Sequence, residues 1–279
     1  MRRLCFLGLL VLAGCGGASE APTGDLSFLT YNVHGLPSVI TGDDTAGRIA
    51  QIAPLLNDFD LVGLQEDFID EHHAILAEVS EHPTQVRFAE VLDGDRYYGS
   101  GLAVFASLPE EDHLHVHFEA CHGHLDGASD CLASKGFQAV RLSLGAGASI
   151  DVYNSHLEAG GSPEDAAARA SHVTALLEAM TGWSSGRALV FLGDTNLHPG
   201  DAEDQPELDR LLGEAGLTGS CDVLGCPEPG HIDRVLFRSG QEVQLEALSW
   251  TNEPGFVDAE GLPLSDHPAI SAELRWSLD

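Results

Sequence analysis

Lysine is all but absent from this chain. Lys135, in the stretch ASKGF, is the one copy among 279 residues, and the other basic residues are all arginine, set against 44 Asp and Glu. The formal net charge of −31 removes the usual footing of nucleic-acid binding, which rests on Lys and Arg displacing counterions from phosphates. Most of this acid is expected to be a solubilising surface. No C-x-x-C pair occurs, so the ordinary spacing of a structural zinc site is missing. There is no internal repeat, and the apolar run Leu4–Ala13 is too short to cross a bilayer as a helix.

That run, in MRRLCFLGLLVLAGCGG, follows two arginines and precedes small residues, the form of a secretory signal. Its end, Leu12-Ala13-Gly14-Cys15, resembles the lipobox of bacterial lipoproteins. The resemblance implies a signal peptide over 1–14, lipidation of Cys15, a flexible tether over 15–25, and an exported protein anchored to a membrane of the cell envelope. Cleavage takes Arg2 and Arg3 and no acid, leaving 11 basic against 44 acidic side chains, a net of −33. With Cys5 lost and Cys15 acylated, four cysteines remain. An even number in an exported protein indicates disulfides. Three pairings are open, and the local ones, Cys121–Cys131 and Cys221–Cys226, are expected.

Residues 26–279 read as one domain. LSFLTYNV (26–33), FDLVGLQE (59–66), GLAVFAS, FQAVRLSL, SIDVYNSHL, RALVFLGDTN, HIDRVLF and PAISAELRW have the apolar, β-branched texture of strands. Residues 46–59, 69–79 and 163–180 have helical periodicity, with Pro163 suited to a first turn. Such a mixture, with several hairpin-length links, predicts a layered α/β sandwich. His113, His115 and His117 alternate as one strand face would. With His72, His73, His122 and His124 they invite a zinc reading, but no tetrahedral set completes it, and solvent-facing side chains are expected.

The chemistry is concentrated at strand ends. LTYN stops at Asn32, LVGLQE at Glu66, VYNSH at His156, and VFLGDTN at Asp194 and Asn196; HID carries Asp233, and SDH supplies Asp266 and His267. One such ending is a turn or a helix cap; six made of Asn, Asp, Glu and His point to a convergent site. The order and wording of TYNVHGLP, LVGLQE, NSHLEAG, FLGDTN, HIDRVLF and SDHPAI resemble the endonuclease/exonuclease/phosphatase superfamily. The resemblance spans residue 26 to the C-terminus. It implies a four-layer α/β sandwich, two packed mixed or antiparallel sheets flanked by helices, and Mg²⁺-dependent phosphoester cleavage, with Mn²⁺ or Co²⁺ as substitutes. Glu66, with Asn32 and Asp266, is then the metal-side set, since hard cations take few carboxylates. Asp194 orients or deprotonates water, Asn196 and His156 donate to phosphoryl oxygens, and Asp233 fixes the tautomer of His267. Tyr98 is a further substrate-side candidate, with strand-edge packing as the alternative.

Within the superfamily, Phe118, Cys121, Asp130, Ser134, Lys135, Gly136 and Phe137 resemble the Lys-Gly-aromatic segment of bacterial and neutral sphingomyelinases. That branch implies release of phosphocholine from a phospholipid by a monomer, and a substrate-side role for Lys135, either on the phosphate or in an ion pair with Asp130. A secreted nuclease, a small-molecule phosphatase and an inactive binding lipoprotein are the competing readings. The membrane-dipping aromatic hairpin found on some sphingomyelinases has only Trp183, Trp250 and Phe256 as substitutes here, and core packing explains each equally well.

Overall fold

The structure, a computed structural model, describes residues 21–92, 94–124, 129–227 and 231–278. The signal segment, Cys15 and the first part of the tether lie outside the described residues. Two six-stranded sheets organise the rest. One runs β11 (Val243–Asn252), β12 (Ile270–Leu278), β1 (Thr23–Asn32), β2 (Leu61–Gln65), β4 (Leu102–Ala106), β3 (Thr84–Phe88). The other runs β5 (Glu110–His117), β6 (Gly136–Gly145), β7 (Ala148–His156), β8 (Leu189–Asp194), β10 (Asp233–Arg238), β9 (Thr218–Gly219). The β1–β2 and β7–β8 pairs are parallel and the other neighbours antiparallel, so both sheets are mixed. Helices α1 (Ser38–Thr41), α2 (Thr45–Leu55) and α3 (Asp70–Val79) follow strands of the first sheet; α4 (Pro163–Gly182), α5 (Asp204–Ala215) and α6 (Ser220–Leu224) follow strands of the second.

Strand periodicity produces the four layers. In β1, Leu26 and Phe28 face the second sheet, where they meet Val152, Val190, Leu192 and Val235. The alternate residues Leu29, Tyr31 and Val33 pack on Ile49, Ile52 and Leu76 of α2 and α3. The second sheet repeats the device: Tyr153 and Phe191 turn outward onto Val173, Leu176 and Leu211 of α4 and α5. The order is helices, sheet, sheet, helices, as expected. The start of α4 is fixed by a capping box, Ser162 accepting from the Asp165 N–H while the Asp165 carboxylate accepts from Ser162, with Pro163 in the first turn.

Three local expectations are corrected. The helix of residues 46–59 ends at Leu55, because Pro54 weakens the last turn and Leu56–Asp58 tightens into a 3₁₀ turn. The folded unit begins at Thr23 rather than at residue 26: Thr23, Gly24 and Asp25 pair with Ser277, Trp276 and Arg275, and the Arg275 fork holds Asp25 at 2.8 and 3.0 Å. His113 and His124 are exposed as expected, but His72, His73, His115, His117 and His122 are buried or half-buried. His115 and His117 stack on Phe88, 4.4 and 4.3 Å between ring centres, and burial pushes the His115 imidazole below its usual value. His73 meets Asp67 at 2.5 Å, and His122 meets Asp165 at 2.7 Å. The expected disulfides, Cys121–Cys131 and Cys221–Cys226, are present. No helix among the described residues is long and apolar enough to cross a membrane.

Candidate active site

The inward faces of β1, β2, β7 and β8 are apolar along most of their length and turn polar at their C-terminal ends. In β1, Leu26 and Phe28 give way to Thr30 and Asn32; in β7, Ile150 and Val152 give way to Asn154 and His156. In β8, Val190 and Leu192 give way to Asp194. β10 runs against β8 and so begins where β8 ends, placing Asp233 opposite Asp194, while His156 lies opposite Asp194 on the other side. A polar layer joins the sheets beneath. Gln65 donates to Asn154 (2.7 Å) and Thr30 (3.1 Å), and Asn154 donates to the carbonyls of Leu64 (2.8 Å) and Ala103 (3.0 Å).

On this floor the first group is Asn32, Glu66 and His34. The Asn32 amide donates to Glu66 Oε1 at 3.0 Å and to Asp194 Oδ2 at 3.2 Å, and its oxygen accepts from the His34 N–H at 3.0 Å. Glu66 and His34 both hold left-handed backbone, φ 61° and 47°, which costs a non-glycine residue about 1 kcal/mol or more and persists where the surroundings enforce it. His34 Nδ1 stands 3.7 Å from Glu66 and 3.4 Å from Asp266. Asp266 is therefore held at one remove from Glu66, with its side chain 59% exposed, and is not brought onto the same cation position. His34 was not singled out by the sequence; its place two residues after Asn32 was the available signal.

The second group is a row of close contacts between carboxylates and imidazoles. His267 Nδ1 meets Asp233 at 3.0 Å, and His267 Nε2 lies 3.7 Å from Asp194 Oδ2. His156 Nε2 lies 3.4 Å from the same oxygen. Burial and the charge of Asp233 raise the Asp194 carboxyl to about 6. Burial works against a charged His267, but the bond to Asp233 and the charges of Asp233, Asp194 and Asp266 outweigh it and raise the ring to about 9. His156 goes the other way: burial and the charge of Lys135 push it well below its usual value, so the ring is neutral. Its Nδ1 has no hydrogen-bond partner among the described residues. Asn196, also left-handed at φ 48°, donates its amide to the Leu157 carbonyl (3.2 Å) and its backbone N–H to Asp194 (3.1 Å). One N–H of its amide is thus held by the scaffold, leaving the other.

Of the two roles expected for Lys135, the ion pair with Asp130 is the one formed. Its side chain is 4% exposed, and its ammonium meets Asp130 at 2.7 Å, the Leu157 carbonyl at 2.9 Å and His156 Nε2 at 3.3 Å. Three partners occupy its three N–H bonds, which ties it to His156 and to the Asp130 loop at the lining of the cavity beside Glu66. Asp130 in turn accepts from the Ala159 N–H, and the Cys121–Cys131 bridge closes the loop that carries it. Beside it the buried Glu158 carboxyl is raised to about 7 by burial and by Asp130. A cavity of about 300 Å³ opens from Glu66 and His156 between Leu36, Ile40, Phe68, Tyr98 and Leu132. Tyr98 is half-buried in its wall, 5.9 Å from Phe68.

Among the described residues two sets fit a cation. Asp194, Asp233 and His267 offer ligand atoms within 4.8 Å of one another, but His267 Nδ1 is already bonded to Asp233. Glu66 fits better. Its Oε2 is buried with no hydrogen-bond partner among the described residues, His34 Nδ1 standing 3.7 Å away, and Asn32 fixes the opposite oxygen, the arrangement in which one carboxylate supports a hydrated Mg²⁺.

The model of the Endonuclease/Exonuclease/phosphatase family matches residues 29–267. Sphingomyelinase of Mycobacterium bovis (strain ATCC BAA-935 / AF2122/97) is 30% identical over 277 residues, covering 90% of this chain and 53% of that protein. The chain thus spans about half the length of the curated relatives it matches. Among solved structures, sphingomyelinase C from Streptomyces griseocarneus aligns with a TM-score of 0.65 and 20% identity over 90% of this chain and 99% of that one. A mutant beta toxin from Staphylococcus aureus, crystallised with bound magnesium ions, aligns at 0.65 and 18% over 89% and 99%. Both share the two-sheet sandwich described above. With a family match over most of its length, this chain belongs to the endonuclease/exonuclease/phosphatase family.

Proposed function

We propose that the protein is a divalent-cation-dependent phosphodiesterase of sphingomyelinase type that releases phosphocholine from a membrane phospholipid. The observation that carries the reading is the Glu66 oxygen without a hydrogen-bond partner among the described residues, beside His156 at the mouth of an apolar-walled cavity and joined to Asp194 through the Asn32 amide. Similarity to sphingomyelinases supports the choice of substrate class. So does the acidic surface, which repels polyphosphate backbones and leaves a zwitterionic headgroup unopposed.

Glu66 and Asn32 would hold Mg²⁺, with Mn²⁺ and Co²⁺ as replacements. When bound, the ion neutralises charge on the phosphate and on the departing oxygen. Asp194, anchored by Asn32 and Asn196, orients a water and takes its proton as the water oxygen bonds to phosphorus. The bond from phosphorus to the lipid oxygen breaks, and that oxygen is protonated from solvent. His267, cationic through Asp233, donates to a phosphoryl oxygen that gains charge in the transition state. His156 offers its unpartnered ring nitrogen to a second phosphoryl oxygen. The N-terminal lipid on Cys15 would keep the enzyme at a membrane, where its substrate is concentrated.

Phosphocholine, inorganic phosphate and nucleotide release are compared with Mg²⁺ and with chelator. The reading expects chelator-sensitive phosphocholine from sphingomyelin vesicles. Ready cleavage of plasmid DNA with sphingomyelin untouched would hand the site to the nuclease reading.

A further inference from the structure

The His72-His73 pair of α3 has no part in the chemistry above, yet both rings reach the backbone that presents Glu66. His72 Nδ1 donates to the Gly35 carbonyl at 3.3 Å. Gly35 in turn donates its N–H to the Glu66 carbonyl at 3.1 Å, an approach so close that a Cβ at Gly35 would run into that oxygen. His73 Nδ1 meets Asp67 Oδ2 at 2.5 Å, and Asp67 is the residue immediately after Glu66, its carboxylate fully buried. From β3, Arg87 donates to the Asp67 carbonyl at 3.2 Å and lies 3.6 Å from the Asp67 carboxylate. The Asp67 N–H donates to Gly101 at 2.9 Å. The left-handed turn at Glu66 is thus held on both sides by α3 and β3, by bonds to the residue after it and to the segment that caps it.

An unassisted Glu would leave φ 61° for a relaxed conformation, swinging its carboxylate off the Asn32 amide. A buried carboxylate is also a poor way to stabilise a turn unless its bonds are needed where they are. We infer that His72, His73, Asp67 and Arg87 are positioning residues that lock the Glu66 turn, and that their work is read as divalent-cation affinity. This rests on the assignment of Glu66 to the cation.

The test is calorimetric titration with Mn²⁺ of the folded protein and of His73→Leu, His73→Asn and Leu76→Ala, with melting curves in chelator. His73→Leu removes the bond to Asp67. His73→Asn keeps an N–H close to the Nδ1 position. Leu76→Ala weakens α3 in the core without touching the turn. Outer-shell groups of this kind change metal affinity by roughly 10–100-fold. The expected result is an Mn²⁺ Kd raised about tenfold in His73→Leu, largely restored in His73→Asn, and unchanged in Leu76→Ala despite its lower melting temperature. If His73→Leu does not fold, His72→Ala, which removes the Gly35 bond alone, is titrated with the same expected direction. A variant Kd equal to wild type, or equal weakening in Leu76→Ala, overturns the inference while leaving the cation at Glu66. Absence of Mn²⁺ binding by wild type overturns both.

Discussion

The two ends of the space between the sheets are made from the same strands and the same strand faces, yet they do opposite things. At one end Leu26, Phe28, Val152, Val190 and Val235 exclude water and hold the sheets together. At the other, two to four residues further along, Asn32, His156, Asp194 and Asp233 are just as buried, none more than 3% exposed, but keep polar atoms available. Burial is therefore not what separates core from site. What differs is how the polar end is stabilised: each buried group there is held by another buried group, with the Gln65–Asn154 layer as the seam. Breaking the apolar end should cost stability without altering the chemistry. Breaking the polar end should cost chemistry first.

Four substitutions sharpen that contrast, from the largest effect down. Glu66→Gln should lower turnover by roughly 10³-fold while the far-UV spectrum and melting temperature stay close to wild type, because shape is kept and the cation is lost. Phe28→Ala, at the apolar end, should do the reverse. It is expected to lose about 3–5 kcal/mol in denaturant unfolding, with kcat preserved in the fraction that remains folded. Lys135→Met joins both kinds of loss, since it leaves Asp130 buried without its partner. About 3 kcal/mol of stability should go, and adding Asp130→Asn should return much of it; unchanged stability and activity would reduce Lys135 to an accident of composition.

Glu158→Gln is the smallest and depends on pH. Its carboxyl is raised in the folded protein from 4.5 to about 7, so the folded state keeps a proton that the unfolded chain sheds. The associated stability is full below pH 4.5 and is lost as pH rises through about 7. The Gln variant should therefore match wild type near pH 4.5 and exceed it by about 1–3 kcal/mol at pH 8, checked by paired melts. His267 has the same sign for a different reason. Raised from 6.5 to about 9, it contributes stability that is present below pH 6.5 and lost as pH rises through about 9. Turnover should fall along that same upper limb, and Asp233→Asn should move the limb to lower pH.

The polar end was legible where period and position coincide. A strand that is apolar on one face and then ends in Asn, Asp or His announces a site, which is how Asn32, Glu66, His156, Asp194, Asp233 and His267 came to be grouped. The four layers followed from the same alternation. Groups that belong to the site through loop closure were not legible. His34 differs from ordinary loop polarity only in meeting Asp266 from a chain position far away. The Lys135–Asp130 pair was one of two readings, and nothing local shows that Leu157 and His156 take its other N–H bonds. Nor does any local mark show that Leu157 takes one N–H of the Asn196 amide. His73, His115 and His117 were expected on the surface, but a ring that packs on Phe88 or clamps Asp67 carries no sequence mark of its partner.

The central claim is that Glu66 holds a divalent cation for hydrolysis of a phospholipid. The most direct test is phosphocholine release from sphingomyelin vesicles as Mg²⁺ is titrated into chelator-treated wild type and Glu66→Gln. The account predicts saturable activation of wild type and no activation of the variant over the same range. Equal activation of both, or full turnover by wild type in chelator, would contradict it.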